Sequence, residues 1–109
     1  MNLHRVAEER SLAYHRAVGA RLLADPSLVD RARARVEAWL ARGEPHPEYA
    51  REWRRILSLS LVEVVATITD PSEPARALRQ VTPFAGFLPP RERWAIWREV
   101  RATSHAAGS

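Results

Sequence analysis

The chain has 109 residues, a net charge of +4 and no cysteine. That length supports one domain with one modest core, and the missing cysteine excludes disulfides, thiolate nucleophiles and cysteine-ligated metals. No run approaches the ~20 apolar residues of a membrane span, and MNLHRVAEER at the start is charged within its first five residues with no apolar signal core, so a cytoplasmic protein without a membrane partner is expected.

The first predicted helix runs from about Leu3 to Leu23. Leu3, Ala7, Tyr14, Val18 and Leu22 share one face at helical periodicity. Leu12 and Leu23 lie opposite, as a second contact face that could serve a homo-oligomer. Asp25-Pro26 signals a restart, with Asp as N-cap and Pro at the first helical position. The second helix, about Pro26 to Arg42, carries the stripe Leu28, Val29, Ala32, Val36, Trp39 and Leu40, and Gly43 stops it. Glu44-Pro45-His46-Pro47 is a stiff loop. A third helix opens at Pro47 with Tyr49, Trp53, Ile56 and Leu57 on one face and Glu48, Arg51, Glu52 and Arg55 on a solvated one.

Leu57 to Thr69 is rich in β-branched residues, which favours a strand. Ser60-Leu-Val-Glu63 nevertheless fits a capping box, and no second strand is present to pair with it. A buried central helix is the reading adopted. Asp70-Pro71-Ser72-Glu73 repeats the restart signal before a short helix to about Gln80. A last helix runs from about Pro90 to Arg101. The expected fold is all-α: a single compact domain of five to six short helices over residues 1–101, with 102–109 as a flexible tail.

The residues carry little sign of catalysis. His4 and His15 share a helix face but are eleven residues, about 16 Å, apart at the rise of an α-helix. No His-x-x-x-His or Glu-x-x-His pair exists. His46 sits between prolines and His105 in the tail. There is no Gly-x-Ser-x-Gly elbow and no glycine-rich phosphate loop. No metal, no cofactor and no enzymatic activity are expected.

Binding is the better expectation. Every one of the 17 basic residues is arginine. A GC-rich genome would produce that, and so would bidentate recognition of phosphate or carboxylate. The positive charge favours an acidic partner, nucleic acid or protein. For nucleic acid, Arg31, Arg35 and Arg42 form a basic edge on the second helix that could track the phosphates of DNA. A charged edge of this kind is also the ordinary solvated face of a surface helix.

For a protein partner, the segment Arg79–Trp97 stands out. It holds Phe84, Phe87, Trp94 and Trp97, stiffened by Pro83, Pro89 and Pro90. An apolar loop must be buried in its own core or in a partner. Ile96, Trp97 and Val100 make a core-facing stripe, with Trp94 at its edge. Two readings stay open: these rings are ordinary core, or Phe84, Phe87 and Trp94 anchor another protein with Arg79, Arg91 and Arg98 around them.

The pattern Thr82, Pro83, Phe84, Ala85, Gly86, Leu88, Glu92 and Arg93 resembles the Ser/Thr-Pro-Phe-Ala-Gly-x-Leu-x-x-x-Glu-Arg element of small bacterial proteins encoded beside a toxin partner, including nucleotidyltransferase-like toxins. RARARVEAWLARG and HPEYAREWRRIL are similar to members of that group too. The resemblance implies an antitoxin-like role, in which the chain binds a partner toxin and masks its active surface. Antitoxins that block basic toxins are usually acidic. This chain is basic, so simple charge neutralisation is not implied.

Overall fold

Six helices follow from the start and stop signals: α1 (Leu3–Ala24), α2 (Leu28–Arg42), α3 (Pro47–Leu57), α4 (Leu61–Ile68), α5 (Glu73–Arg79) and α6 (Pro90–Gly108). The computed structural model describes residues 3–43 and 46–108, with side chains from 5 to 43 and 46 to 103. Predictions for Glu44-Pro45, and those that rest on the side chains of Leu3, His4 and His105, therefore lie outside what is described. Among the described residues there is no strand, and the helices form one all-α globule.

Capping chemistry sets most of the boundaries. The Ser60 hydroxyl accepts from the Glu63 amide at 3.2 Å, and the Ser72 hydroxyl accepts from Ala75 at 3.4 Å. Each satisfies an amide that has no partner within its helix. Pro47 and Pro90 open α3 and α6, where a missing N–H costs nothing. Gly43 ends α2 at φ 71°, a left-handed conformation that glycine adopts without a Cβ clash. Asp25 acts one step earlier than expected. Its carboxylate accepts from the Ser27 amide and hydroxyl, 3.2 and 2.6 Å away, and caps a tight turn that precedes the regular helix. Regular α2 therefore begins at Leu28 and not at Pro26.

Packing divides the molecule in two. α2 and α3 form an antiparallel-type pair, tied by Arg33 Nε donating to the Leu57 carbonyl at 2.8 Å and by a two-pronged Arg54–Glu37 pair at 2.8 Å. α1 packs against α4, α5 and α6. The core runs through both halves: Val18 and Leu22 from α1, Val29, Ala32 and Val36 from α2, Trp53, Ile56 and Leu57 from α3, Val64 and Ile68 from α4.

Two expectations change here. The apolar segment before Thr69 is a helix, but it is not the central one. Val62 is 71% exposed, and only Val64 and Ile68 of α4 are fully buried. Eight residues make little more than two turns, too short for an all-round buried rod, and the 22-residue α1 is the hub instead. α6 also continues to Gly108, past Arg101 where a tail was expected. The added turns contain Ala102, Ala106 and Ala107, and alanine is the strongest helix former.

The α1–α4 crossing is close because Gly19 is buried there. A Cβ at this position would sit 3.1 Å from Val65 Cγ1. Gly19→Leu is therefore expected to lower stability by about 1–3 kcal/mol through overpacking. The urea midpoint by circular dichroism measures it, and an unchanged midpoint would show that this crossing has slack.

Candidate functional site

The loop between α5 and α6 is built from apolar residues, so folding must hide its rings and also re-bond its stripped backbone groups. Phe84 is 0% exposed and Phe87 6%. Phe84 packs edge-on to Trp53 of α3, Phe87 and His15, with centroids 5.9, 5.2 and 6.3 Å away. The backbone between them turns with the Phe87 amide donating to the Phe84 carbonyl at 3.2 Å, and Gly86 takes φ 79°. This is a turn position that favours glycine.

Side chains from α1 and α2 satisfy the rest. The Tyr14 hydroxyl donates to the Phe84 carbonyl at 2.5 Å and accepts from the Phe87 amide at 3.3 Å. Arg35 Nη1 donates to the carbonyls of Pro83 and Ala85, 2.9 and 2.6 Å away. Arg31 lies over the Phe87 ring, 4.4 Å from its centroid. His15, 1% exposed, joins the loop to α1. Its Nδ1 faces the Ser11 carbonyl at 2.7 Å, and a carbonyl can only accept, so Nδ1 carries the proton. Nε2 then accepts from the Thr82 hydroxyl at 2.8 Å, and the Thr82 oxygen accepts from the Phe84 amide at 3.1 Å.

These contacts choose between the two readings left open for the loop. Phe84 and Phe87 are core, and their rings are closed to a docking partner. Arg79 is 4% exposed and is turned inward. The Arg31, Arg35 and Arg42 edge is divided as well. Arg31 and Arg35 clasp the loop, while Arg42 is exposed at the end of α2.

Trp94, Arg91 and Arg98 remain at the surface, on α6. Trp94 is 61% exposed, and both arginines are exposed. At 3.6 residues per turn, Arg91, Trp94, Arg98 and the exposed Arg101 fall within an arc of roughly 80°. Trp94 is held against Trp97, ring centroids 5.3 Å apart at 82°. Trp97 is flanked by Arg10 and Arg93, each 5.9 Å from its centroid. Glu92 pairs with Arg21 of α1, which fixes the start of α6. Glu92 and Glu99 both lie to one side, about 80–100° round the helix from Arg91. The exposed arc is thus one aromatic ring among three arginines, with no carboxylate in it.

Sequence reasoning missed Tyr14, His15 and Thr82 as the loop's clasp, because their partners lie about seventy residues away along the chain. Among the described residues no group of three or more metal-ligating side chains exists, and no helix is long and apolar enough to cross a membrane. Comparison with family models, curated proteins and solved structures returned no match.

Burial pushes the His15 pKa down to about 4, with the Arg79 charge adding to the effect and the Ser11 carbonyl opposing it. An unfolded histidine, with its ordinary value of about 6.5, takes up a proton that the native one refuses. Stability is therefore full above about pH 6.5 and falls as the pH drops toward 4, by about 3 kcal/mol in all. Urea unfolding at pH 7 and pH 5 should show about 2 kcal/mol of this loss, and His15→Gln should flatten it. A wild-type midpoint that is constant across that window would contradict the buried neutral imidazole.

Proposed function

We propose that this chain is a cytoplasmic, non-catalytic protein-interaction module of antitoxin-like kind, which docks on an acidic patch of a partner protein through the outer face of α6. The observation that carries this reading is the exposed Trp94 set among Arg91, Arg98 and Arg101. Tryptophan and arginine dominate interface hot spots. Trp94 is already immobilised against Trp97, so docking sacrifices little side-chain freedom. The arginines would pair with carboxylates, such as those lining the catalytic cleft of a nucleotidyltransferase-like toxin.

The proline-rich loop then has a supporting role. It does not touch the partner but fixes where α6 begins. Binding of DNA through Arg31, Arg35 and Arg42 is less well supported, because Arg31 and Arg35 are engaged with Phe87 and the loop carbonyls.

Co-expression with the product of the adjacent gene tests the proposal. Trp94→Ala is expected to weaken the complex by roughly 30-fold, the loss of one hot spot of about 2 kcal/mol, with an unchanged melting temperature. Arg91→Glu/Arg98→Glu should weaken it at low salt more than at high salt. A complex as tight as wild type with both variants would place the docking surface elsewhere.

A further inference from the structure

The cleft between α1 and α5 is lined by residues separate from the α6 face. Arg79 closes α5 and is 4% exposed. Its Nη1 donates to the carbonyls of Ile68 and Asp70 at the end of α4, 3.2 and 2.6 Å away. No carboxylate forms an ion pair with it among the described residues. The other edge of the guanidinium, Nε and Nη2, carries no hydrogen bond to a described residue, yet neither atom is sealed from solvent. Arg79 lines a cleft with Ala7, Glu8, Ser11, Arg76 and Gln80.

A buried cation without a counter-charge is unfavourable. Burial, and then the neighbouring Arg76 charge, depress the pKa of Arg79, while Asp70 and Glu8 act in the other direction. Arginine remains charged all the same. The Nε–Nη2 edge is the side of a guanidinium that meets a carboxylate with two parallel bonds.

We propose that the α1–α5 cleft is a carboxylate-binding site, with the Nε–Nη2 edge of Arg79 as its bidentate partner. The Ser11 hydroxyl and the Gln80 amide supply flanking donors, and Ala7 supplies an apolar wall. Arg76 Nη1 is shared between Glu73 at 2.9 Å and Glu8 at 3.5 Å, which balances the Glu8 charge. With Glu73 also counted, the Arg76 and Arg79 charges are matched by two carboxylates, so the cleft has no excess positive charge to hold a phosphate dianion and suits a monoanionic carboxylate better. A free small acid and the terminal carboxylate of a peptide offer the same chemistry.

The test is titration of the full chain, followed by the arginine Nε–H signals in proton–nitrogen spectra. The probes are acetate, N-acetyl-dialanine, its amide and inorganic phosphate. Acetate and N-acetyl-dialanine should shift the Arg79 signal saturably, and the amide should not. Tighter binding of the dipeptide would support a peptide terminus as the source, and equal binding a free small acid. Arg79→Lys should abolish saturation. If that variant does not fold, Ser11→Ala/Gln80→Ala should weaken binding several-fold instead. A shift matched by chloride at equal ionic strength, a stronger response to phosphate than to acetate, or unchanged affinity in the double variant would overturn the site. Trp94→Ala should leave these titrations unaltered, so failure here and failure of the α6 docking surface are distinguishable.

Discussion

An apolar loop can enter a core only if every amide and carbonyl it drags out of water finds a new partner, and that constraint governs this molecule. Residues 81–89 carry Phe84, Phe87 and Leu88 between the α2–α3 pair and the helices gathered on α1. Without the clasp, the buried Pro83 carbonyl would be unbonded and the Phe84 carbonyl would keep only the Phe87 amide. Arg35 bonds the Pro83 and Ala85 carbonyls, Tyr14 adds a second donor to the Phe84 carbonyl, and the His15–Thr82 relay accounts for the Phe84 amide. An unsatisfied buried carbonyl costs about 1–3 kcal/mol, comparable to the gain from burying a phenylalanine side chain. Plug and clasp therefore stabilise each other.

The clasp has a consequence for the surface. Because the loop is consumed as core, the proline pair that ends it launches α6 from a fixed point, and the Arg21–Glu92 pair holds its first turn on α1. Trp97 and Ile96 turn toward α1 and the core, and Trp94 and the arginines turn outward. Beyond ion pairs such as Arg21–Glu92 and Arg54–Glu37, arginine plays three physical parts here. Arg35 and Arg79 donate to carbonyls, Arg31, Arg10 and Arg93 lie over aromatic faces, and Arg91 and Arg98 remain for solvent or a partner. Lysine, with a compact and strongly hydrated charge, would perform the first two poorly.

Much of the fold was legible because it rests on local chemistry. Helix starts at Ser60, Pro47 and Pro90, and the stop at Gly43, follow from caps and fixed φ angles that involve residues a few positions apart. The stripes Val29-Ala32-Val36 and Trp53-Ile56-Leu57 follow from the 3.6-residue period, as does the separation of Trp94 from Trp97. Whether Phe84, Phe87 and Arg79 are core or outward anchors was not legible. Nothing within a few residues of them indicates whether their neighbours in space are helices or water.

What the sequence determined by itself was therefore an all-α chain, the approximate limits of its helices and the apolar faces of α1, α2, α3 and α6. Tertiary structure alone decided which apolar groups stayed outside. Phe84 meets Trp53 and His15 across gaps of more than thirty residues, and Tyr14 reaches the loop from seventy residues away. Such pairings depend on how whole helices pack, and they carry no periodic signature that a linear reading can detect.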